Sequence, residues 1–153
     1  MEDILDPDLP IIDPHHHLWD YRAVVPNLPP PKHGFDHVLP RTPLYLLDQL
    51  SADMGAGHNV RGTVFIECGA YYRSSGPDAL KPVGETEFVN GVAAMSASGH
   101  YGPARACAGI VGHANLALGD AVAPVLEAHL AAGGGRFRGI RDRGAWDADP
   151  NVL

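Results

Sequence analysis

The sequence predicts an α/β fold with a parallel sheet covered by helices, because strand-like and helix-like segments alternate along it. Four short segments are rich in β-branched, aromatic or small apolar residues, and three segments with helical spacing of apolar residues lie between them. This β-α-β-α-β-α-β order calls for parallel strands joined by crossover helices. Two architectures fit the order, an open doubly wound sheet and part of a (β/α)8 barrel.

The predicted strands are all short, as expected for buried strands of a parallel sheet. They are Ile11–His17, Arg61–Cys68, Ala106–Val111 and Arg136–Arg141. A proline-rich segment, residues 23–41, follows the first strand, and its central part from Val25 to Pro40 reads VPNLPPPKHGFDHVLP. Because proline removes a hydrogen-bond donor and fixes φ, this segment is predicted to be a long ordered loop rather than a helix or a central strand.

The predicted helices are bounded by capping residues and glycines. Their bounds are Thr42-Pro43 to Gly55 or Gly57, Glu85 to Ser98, and Asp120 to Gly133. Each carries an apolar face of helical periodicity. The inward residues are Leu44, Leu47, Leu50 and Met54 in the first helix, Phe88, Val92 and Met95 in the second, and Val122, Val125, Leu126 and Leu130 in the third.

Composition and charge exclude several classes of protein. The 153 residues fit one domain, and the net charge of −7 leaves no basic surface to neutralise a nucleic-acid backbone. No apolar run is long enough to span a bilayer, and the acidic start MEDILDPDLP is unlike a secretory signal. Cys68 and Cys107 each lie in an apolar segment, which predicts buried thiols of a cytoplasmic protein.

The stretch IIDPHHHLWD, Ile11–Asp20, places three histidines at the end of the first strand. Side chains alternate along a strand, so Asp13, His15 and His17 share one face and His16 lies on the other. Two imidazoles on one face can reach a single divalent ion, although such a pair also occurs as exposed or hydrogen-bonded histidines. The position favours a functional role, because active sites of parallel α/β folds lie at the carboxyl ends of strands.

These residues resemble the first-strand motif of the amidohydrolase superfamily, in particular its amidohydrolase 2 branch. The segments FIECGAYYR, ETEFVNGVAAMSASG, ACAGIVGHANL and FRGIR are also similar to this branch. The branch includes lactonases acting on sugar acids and pyrone dicarboxylates, and non-oxidative decarboxylases. The resemblance implies a (β/α)8 barrel with one divalent metal ion on His15 and His17, or, as in some lactonases, no metal. Zn is the preferred ion, and Mn, Fe, Co and Ni are also compatible.

The resemblance also implies that residues 1–153 are the N-terminal portion of one such barrel. A full barrel takes about 250 residues, and this chain reaches Leu153 shortly after the fourth predicted strand. The later metal ligands of the superfamily, a histidine and an aspartate, are therefore expected beyond Leu153. Lys32 and Lys81 are not on predicted strands, so a lysine-bridged binuclear centre is not expected. Unpaired strand edges of a half barrel predict a homo-oligomer or association through those edges.

Two further residues at strand ends are candidates for catalysis. Glu67 closes the second strand, where it can orient a water or a substrate hydroxyl, or form a salt bridge with Arg141 or Arg61. His113 follows the third strand and suits acid–base chemistry near neutral pH, or a structural role.

Three residues are candidates for substrate binding. Arg141 ends the fourth strand and offers a planar fork that matches a carboxylate. Tyr71 follows the second strand, where lining a pocket and packing are both plausible, and Trp19 is expected at the mouth of the barrel. With the resemblance, Arg141 implies a small-molecule carboxylate as substrate. The resemblance implies hydrolysis of a carboxylate-bearing lactone or related cyclic ester, with decarboxylation of an aromatic acid as the alternative reaction. A third possibility is a truncated, inactive half barrel.

Overall fold

A computed structural model describes residues 3–144 and 146–149. Its strands are β1 (Ile11–His16), β2 (Trp19–Asp20), β3 (Leu44–Tyr45), β4 (Val60–Ile66), β5 (Arg105–Gly112) and β6 (Phe137–Ile140). Its helices are α1 (Val38–Arg41), α2 (Leu47–Met54), α3 (Val83–Ala97) and α4 (Ala123–Ala132). Short 3-10 turns lie at Val25–Asn27, Gly34–His37, Asp78–Leu80 and Leu116–Val122.

The main sheet has four parallel strands in the order β1-β4-β5-β6, which confirms the predicted α/β class and all four predicted strands. A small antiparallel pair joins β2 to β3. Within residues 3–144 and 146–149 the sheet does not close into a barrel, and β1 and β6 each have one neighbouring strand. The barrel prediction is therefore met only at the level of a parallel α/β sheet.

The core lies between one face of the sheet and the helices. Phe65 of β4, Ile110 of β5 and Val89 of α3 are fully buried there, together with Leu50 of α2. Other sheet residues are exposed, and Ile12 of β1 keeps 61% of its surface in contact with solvent. All-parallel sheets are usually covered on both faces, so the exposed side chains of this sheet mark a face that the described helices leave open.

The predicted start of the first long helix is wrong. Thr42 does not cap it; instead, Leu44 and Tyr45 pair with the two residues of β2, and α2 begins at Leu47. The side chain of Gln49 accepts a hydrogen bond from the backbone N–H of Leu46, so the helix is capped one turn later than the sequence pattern indicates. Its end at Gly55 is as predicted.

The third predicted helix also begins later than expected. Asp120 lies inside the 3-10 turn Leu116–Val122 rather than at a helix cap, and α4 starts at Ala123. Leu130 was expected to face inward but is 59% exposed, whereas His129 is fully buried. The buried face of α4 therefore includes the polar side chain of His129 in place of Leu130, which the apolar periodicity of the sequence does not predict.

The proline-rich segment is ordered but contains the short helix α1, so the prediction of a purely irregular loop is wrong in part. Pro40 is tolerated because α1 has only four residues, and a helix donates no internal hydrogen bonds from its first turn. The carboxylate of Asp36 accepts the backbone N–H groups of Lys32 and His33, which fixes the turn before α1.

Among the helices that the structure describes, none has the length and apolar character that a membrane span requires.

Candidate functional site

His15 and His17 meet at the carboxyl end of β1. Their Nε2 atoms are 3.2 Å apart, and the two rings lie edge to face with centroids separated by 4.9 Å. The Nδ1 atom of His17 is 2.8 Å from the carbonyl oxygen of Ile66. Because a carbonyl only accepts hydrogen bonds, this Nδ1 carries the proton, and the Nε2 of the neutral ring is left with its lone pair facing His15. Burial also lowers the pKa of His17, which favours the neutral ring.

This arrangement fits two ligands of one divalent ion. Imidazole nitrogens bound at about 2.1 Å to the same ion are about 3.0 to 3.4 Å apart for octahedral to tetrahedral angles, and the observed separation of 3.2 Å falls in that interval. The hydrogen bond from His17 Nδ1 to a carbonyl is also the usual second contact of a ligand histidine. Across residues 3–144 and 146–149, however, no three His, Cys, Asp or Glu side chains are grouped to hold a metal. The described chain thus offers two ligands, and a complete site needs more.

His16 turns away from this pair, as strand alternation predicts. It is 7% exposed, and its Nε2 is hydrogen-bonded to the hydroxyl oxygen of Thr63, which accepts the backbone N–H of Cys107. Burial lowers the pKa of His16 to about 4, so the ring is neutral. Asp13 accepts the backbone N–H of His15 through its carboxylate, which matches the strand-end role rather than a contact with an imidazole.

Arg141 and Glu67 form a partly buried ion pair next to the histidines. The Nε of Arg141 is 2.7 Å from Glu67 Oε1, and its Nη2 is 2.6 Å from the backbone oxygen of Glu67. The side chain of Glu67 is 1% exposed, and Arg143 is the second cation near it, with its Nε 3.7 Å from the same carboxylate oxygen. The salt bridge anticipated for Glu67 is therefore formed with Arg141, and two cations face one carboxylate.

His113 is tied to the same arginine through the backbone. Its Nδ1 donates to the carbonyl oxygen of Arg141 at 3.1 Å, which leaves Nε2 as the acceptor of the neutral ring. The carbonyl of His113 accepts from Nε2 of His129, whose Nδ1 accepts from the hydroxyl of Thr86. This chain of contacts joins the ends of β5 and β6 to α3 and α4.

A cleft of about 480 Å³ adjoins the histidine pair. His17, Trp19 and Arg141 line it, so three of the predicted site residues share one cavity. Residues between 28 and 40 of the proline-rich segment also line it, although the sequence indicated this segment only as a loop of possible function. The indole nitrogen of Trp19 donates to the carbonyl oxygen of Thr42 at 2.8 Å, which fixes the ring in place.

Four predicted site residues are not part of the cleft lining, and the first is His15, the neighbour of His17. Glu67 and His113 reach it only through Arg141, as described above. The ring of Tyr71 stacks on Phe88 of α3 at a centroid distance of 4.0 Å, which corresponds to the packing alternative. The prediction that Tyr71 contacts substrate therefore gains no support from these contacts.

Glu85, near the start of α3, is a buried acid that sequence reasoning assigned only to a helix boundary. Its Oε1 accepts the backbone N–H groups of Cys68 and Ala70, while Oε2 is buried and has no hydrogen-bond partner among the described residues. Burial raises the pKa of Glu85 from 4.5 to about 7. The carboxyl group thus organises the loop after β4, at the cost of burying a group that ionises near neutral pH.

Replacing Glu85 with glutamine should remove a pH-dependent loss of stability. The folded state holds the proton of Glu85 more tightly than the unfolded state, so its free energy of unfolding falls as the pH rises from 4.5 to about 7. The shift corresponds to about 3 kcal/mol. Glu85→Gln keeps the acceptor oxygen and cannot ionise. Urea unfolding across this range should show the variant gaining stability relative to the parent protein as the pH rises. A difference that does not change with pH would show that the acid is not perturbed.

Comparison with known proteins identifies a relative but no activity. The sequence is 32% identical over 139 residues to the uncharacterized protein y4mH of Sinorhizobium fredii (strain NBRC 101917 / NGR234). The match covers 88% of this chain and 40% of the relative, so the chain spans less than half the length of this curated protein. No family model matches the sequence, and no solved structure matches it. Any statement about function therefore depends on the geometry of the site.

Proposed function

We propose that this chain contributes the metal-binding end of a hydrolase of the amidohydrolase 2 type, which opens a carboxylate-bearing lactone or related cyclic ester. The observation that carries the proposal is the pair of Nε2 atoms of His15 and His17, 3.2 Å apart at the carboxyl end of a parallel strand. The pair adjoins a cleft that also contains Arg141. Metal ligands next to an anion-binding side chain are the elements that hydrolysis of an acidic ester requires.

His15 and His17 would hold one divalent ion, with Zn preferred. When bound, such an ion supplies a Lewis acid that polarises a carbonyl group or lowers the pKa of a water molecule. The carbonyl of Ile66 fixes the tautomer of His17, so that its Nε2 is available as a ligand without reorientation. In a metal-free version, the histidines and arginines would stabilise the oxyanion formed on ring opening directly.

The cations beside the histidines suit a substrate carboxylate. Glu67 offsets one of the two positive charges of Arg141 and Arg143, so these three side chains carry one net positive charge. Asp36, whose carboxylate accepts the backbone N–H groups of Lys32 and His33, also lines the cleft. Glu67 and His113 both hold Arg141, one through its guanidinium and the other through its carbonyl oxygen. Their contacts favour positioning of Arg141 over direct contact with the reacting atoms.

We also propose that the sheet is part of a (β/α)8 barrel completed by further chain or by a second copy. This is supported by the exposed side chains on one sheet face, by the single neighbour of β1 and of β6 within the described residues, and by the greater length of the relative. The added part would supply the remaining metal ligands.

Both cysteines are free thiols, which supports the proposed cytoplasmic location.

Two alternative functions are each favoured by one observation. Decarboxylation of an aromatic acid is favoured by the apolar wall of the cleft, and it needs the metal to bind substrate rather than to activate water. An inactive half barrel is favoured by the presence of only two grouped ligands in the described part of the chain.

Assays of the protein after separation by size distinguish these functions. We expect fractions loaded with Zn to open carboxylate-bearing lactones. The activity should be found in the fraction in which further chain or a second copy covers the open sheet face. A chelator and the double substitution His15→Ala, His17→Ala should each abolish the activity. Release of CO₂ from aromatic acids without lactone opening would favour the decarboxylase. Inactivity of every fraction on both substrate classes would favour the inactive half barrel.

A further inference from the structure

We propose that His16, which lies between the two histidines of the pair, is a positioning residue for them. Its ring ties the end of β1 to Thr63 of β4 and thereby sets the distance between the imidazoles of His15 and His17. The inference concerns the metal site proposed above and rests on that proposal. It is carried by the irregular pairing of β1 at this point and by the contacts of the His16 ring.

The pairing of β1 is irregular where the histidines begin. Asp13 is paired with Thr63 of β4. The next paired residue of β1 is His16, whose partner is Phe65, so three steps along β1 match two steps along β4. One extra residue of β1 therefore forms a β-bulge, a feature that re-aims side chains and is frequent next to active sites. Proline within sheets is tolerated at bulges, and Pro14 occupies this one.

The bulge lacks the backbone donors that tie a regular strand to its neighbour. Pro14 has no N–H group, and the N–H of His15 donates at 3.0 Å to the carboxylate of Asp13 within the same strand. Neither residue is paired with a residue of β4 in the described part of the chain. A side-chain contact can therefore decide where the residues before His16 lie.

The ring of His16 supplies such a contact on the buried side of the sheet. Its Nε2 is 2.9 Å from the hydroxyl oxygen of Thr63, which is fully buried. That oxygen also accepts the backbone N–H of Cys107, and the Sγ of Cys107 is 3.8 Å from the same Nε2. Phe65 meets the ring edge to face at a centroid distance of 5.8 Å. Side chains of β4 and β5 thus enclose the ring and fix its position.

Fixing His16 constrains the residues on both sides of it. Their side chains leave the backbone on the other face of β1, and their Nε2 atoms are 3.2 Å apart. His17 has an anchor of its own, because its Nδ1 donates to the carbonyl oxygen of Ile66. The ring of His15 is hydrogen-bonded to His17 itself. A shift of the bulge would therefore move His15 away from His17, and the contact of His16 with Thr63 opposes that shift.

A second buried threonine provides the matched control. Thr86 of α3 is 1% exposed, and its hydroxyl is hydrogen-bonded at 2.8 Å to a buried histidine, in this case His129. We expect Thr63→Val to lower the affinity for Zn about tenfold, the lower end of the effect of losing an outer contact of a metal site. Thr86→Val should leave the affinity unchanged, and so should Thr63→Ser, which keeps the hydroxyl. Competition with a chromophoric chelator measures the affinity, and far-ultraviolet circular dichroism checks that each variant is folded.

Variants of His16 test the same contact from its other side. Thr63→Val deprives the N–H of Cys107 of its acceptor, whereas His16→Met breaks the contact and leaves that acceptor in place. We expect His16→Met to lose as much Zn affinity as Thr63→Val. His16→Gln, whose amide group extends about as far as Nε2, should recover most of it.

A long-range ¹H–¹⁵N spectrum in the presence of a chelator gives a readout that needs no metal. The Nε2 atoms of His15 and His17 are in contact with each other, so their signals report the distance between the two rings. We expect Thr63→Val to shift both signals, and Thr86→Val to leave them in place. A loss of general stability would not separate these two variants.

Parent-like Zn affinity in folded Thr63→Val and His16→Met would overturn the inference and keep the metal site. Equal losses of affinity in Thr63→Val and Thr86→Val would also overturn it. Where the parent protein binds no Zn, the spectrum decides. Shifts of both Nε2 signals in Thr63→Val but not in Thr86→Val would then remove the metal site and keep the positioning by His16, whereas unshifted signals would remove both.

Discussion

Replacing His15 and His17 together with alanine lowers the affinity for Zn by more than about a hundredfold. Removing a single hydrogen-bond partner of a metal-ligating side chain already lowers metal affinity about 10- to 100-fold. The double substitution removes both imidazoles themselves, whose Nε2 atoms converge. Competition with a chromophoric chelator measures the affinity of the parent protein and of the variant. Each single substitution should fall between them, because one imidazole alone binds a divalent ion weakly.

His100→Ala is the matched control for this experiment. His100 is exposed in the turn after α3, far in sequence from the pair, and the same type of side chain is removed. We expect its Zn affinity to equal that of the parent protein. If His100→Ala and the double variant lose the same affinity, Zn binds to surface histidines in general, and the proposed metal site is wrong.

Arg141→Met lowers the free energy of unfolding by about 3 kcal/mol, the scale for removing one partner of a buried ion pair. The substitution leaves the carboxylate of Glu67, whose side chain is 1% exposed, with the more distant Arg143 as its one cationic partner among the described residues. It also removes the hydrogen bond from Nη2 to the backbone oxygen of Glu67, which ties the end of β6 to the end of β4. Urea unfolding monitored by far-ultraviolet circular dichroism measures the loss.

Two further variants show whether the loss comes from the unpaired acid. Combining Arg141→Met with Glu67→Gln removes the buried charge and should recover most of the stability. Arg22→Met breaks the exposed ion pair with Asp20 and should leave the free energy of unfolding nearly unchanged. If the double variant is less stable than Arg141→Met alone, the destabilisation has another origin, such as lost packing of the arginine side chain.

Local patterns predicted the features that depend on neighbouring residues in the sequence. The strands follow from short runs of β-branched and aromatic residues, and the convergence of His15 and His17 follows from strand alternation. The ion pair of Glu67 with Arg141 also follows from the sequence, because both residues end strands of a parallel sheet and so lie at the same edge.

Features that depend on distant packing were not predictable in this way. Leu44 and Tyr45 satisfied the pattern of a helix start, but β2 offered them a strand partner. Glu85 and His129 are buried because their polar atoms meet groups on other elements, and polarity alone suggested exposure. The cleft brings residues between 28 and 40 to the same cavity as His17 and Arg141, which composition could not show.

The central claim is that His15 and His17 are ligands of one divalent ion, and histidine nitrogen NMR tests it most directly. A long-range ¹H–¹⁵N spectrum resolves the ring nitrogens of the nine histidines in the chain before and after addition of Zn. The account predicts that the Nε2 signals of His15 and His17 shift together at one equivalent of Zn, while Nδ1 of His17 stays protonated through its bond to Ile66. Shifts confined to other histidines, or unchanged signals for this pair, would contradict it.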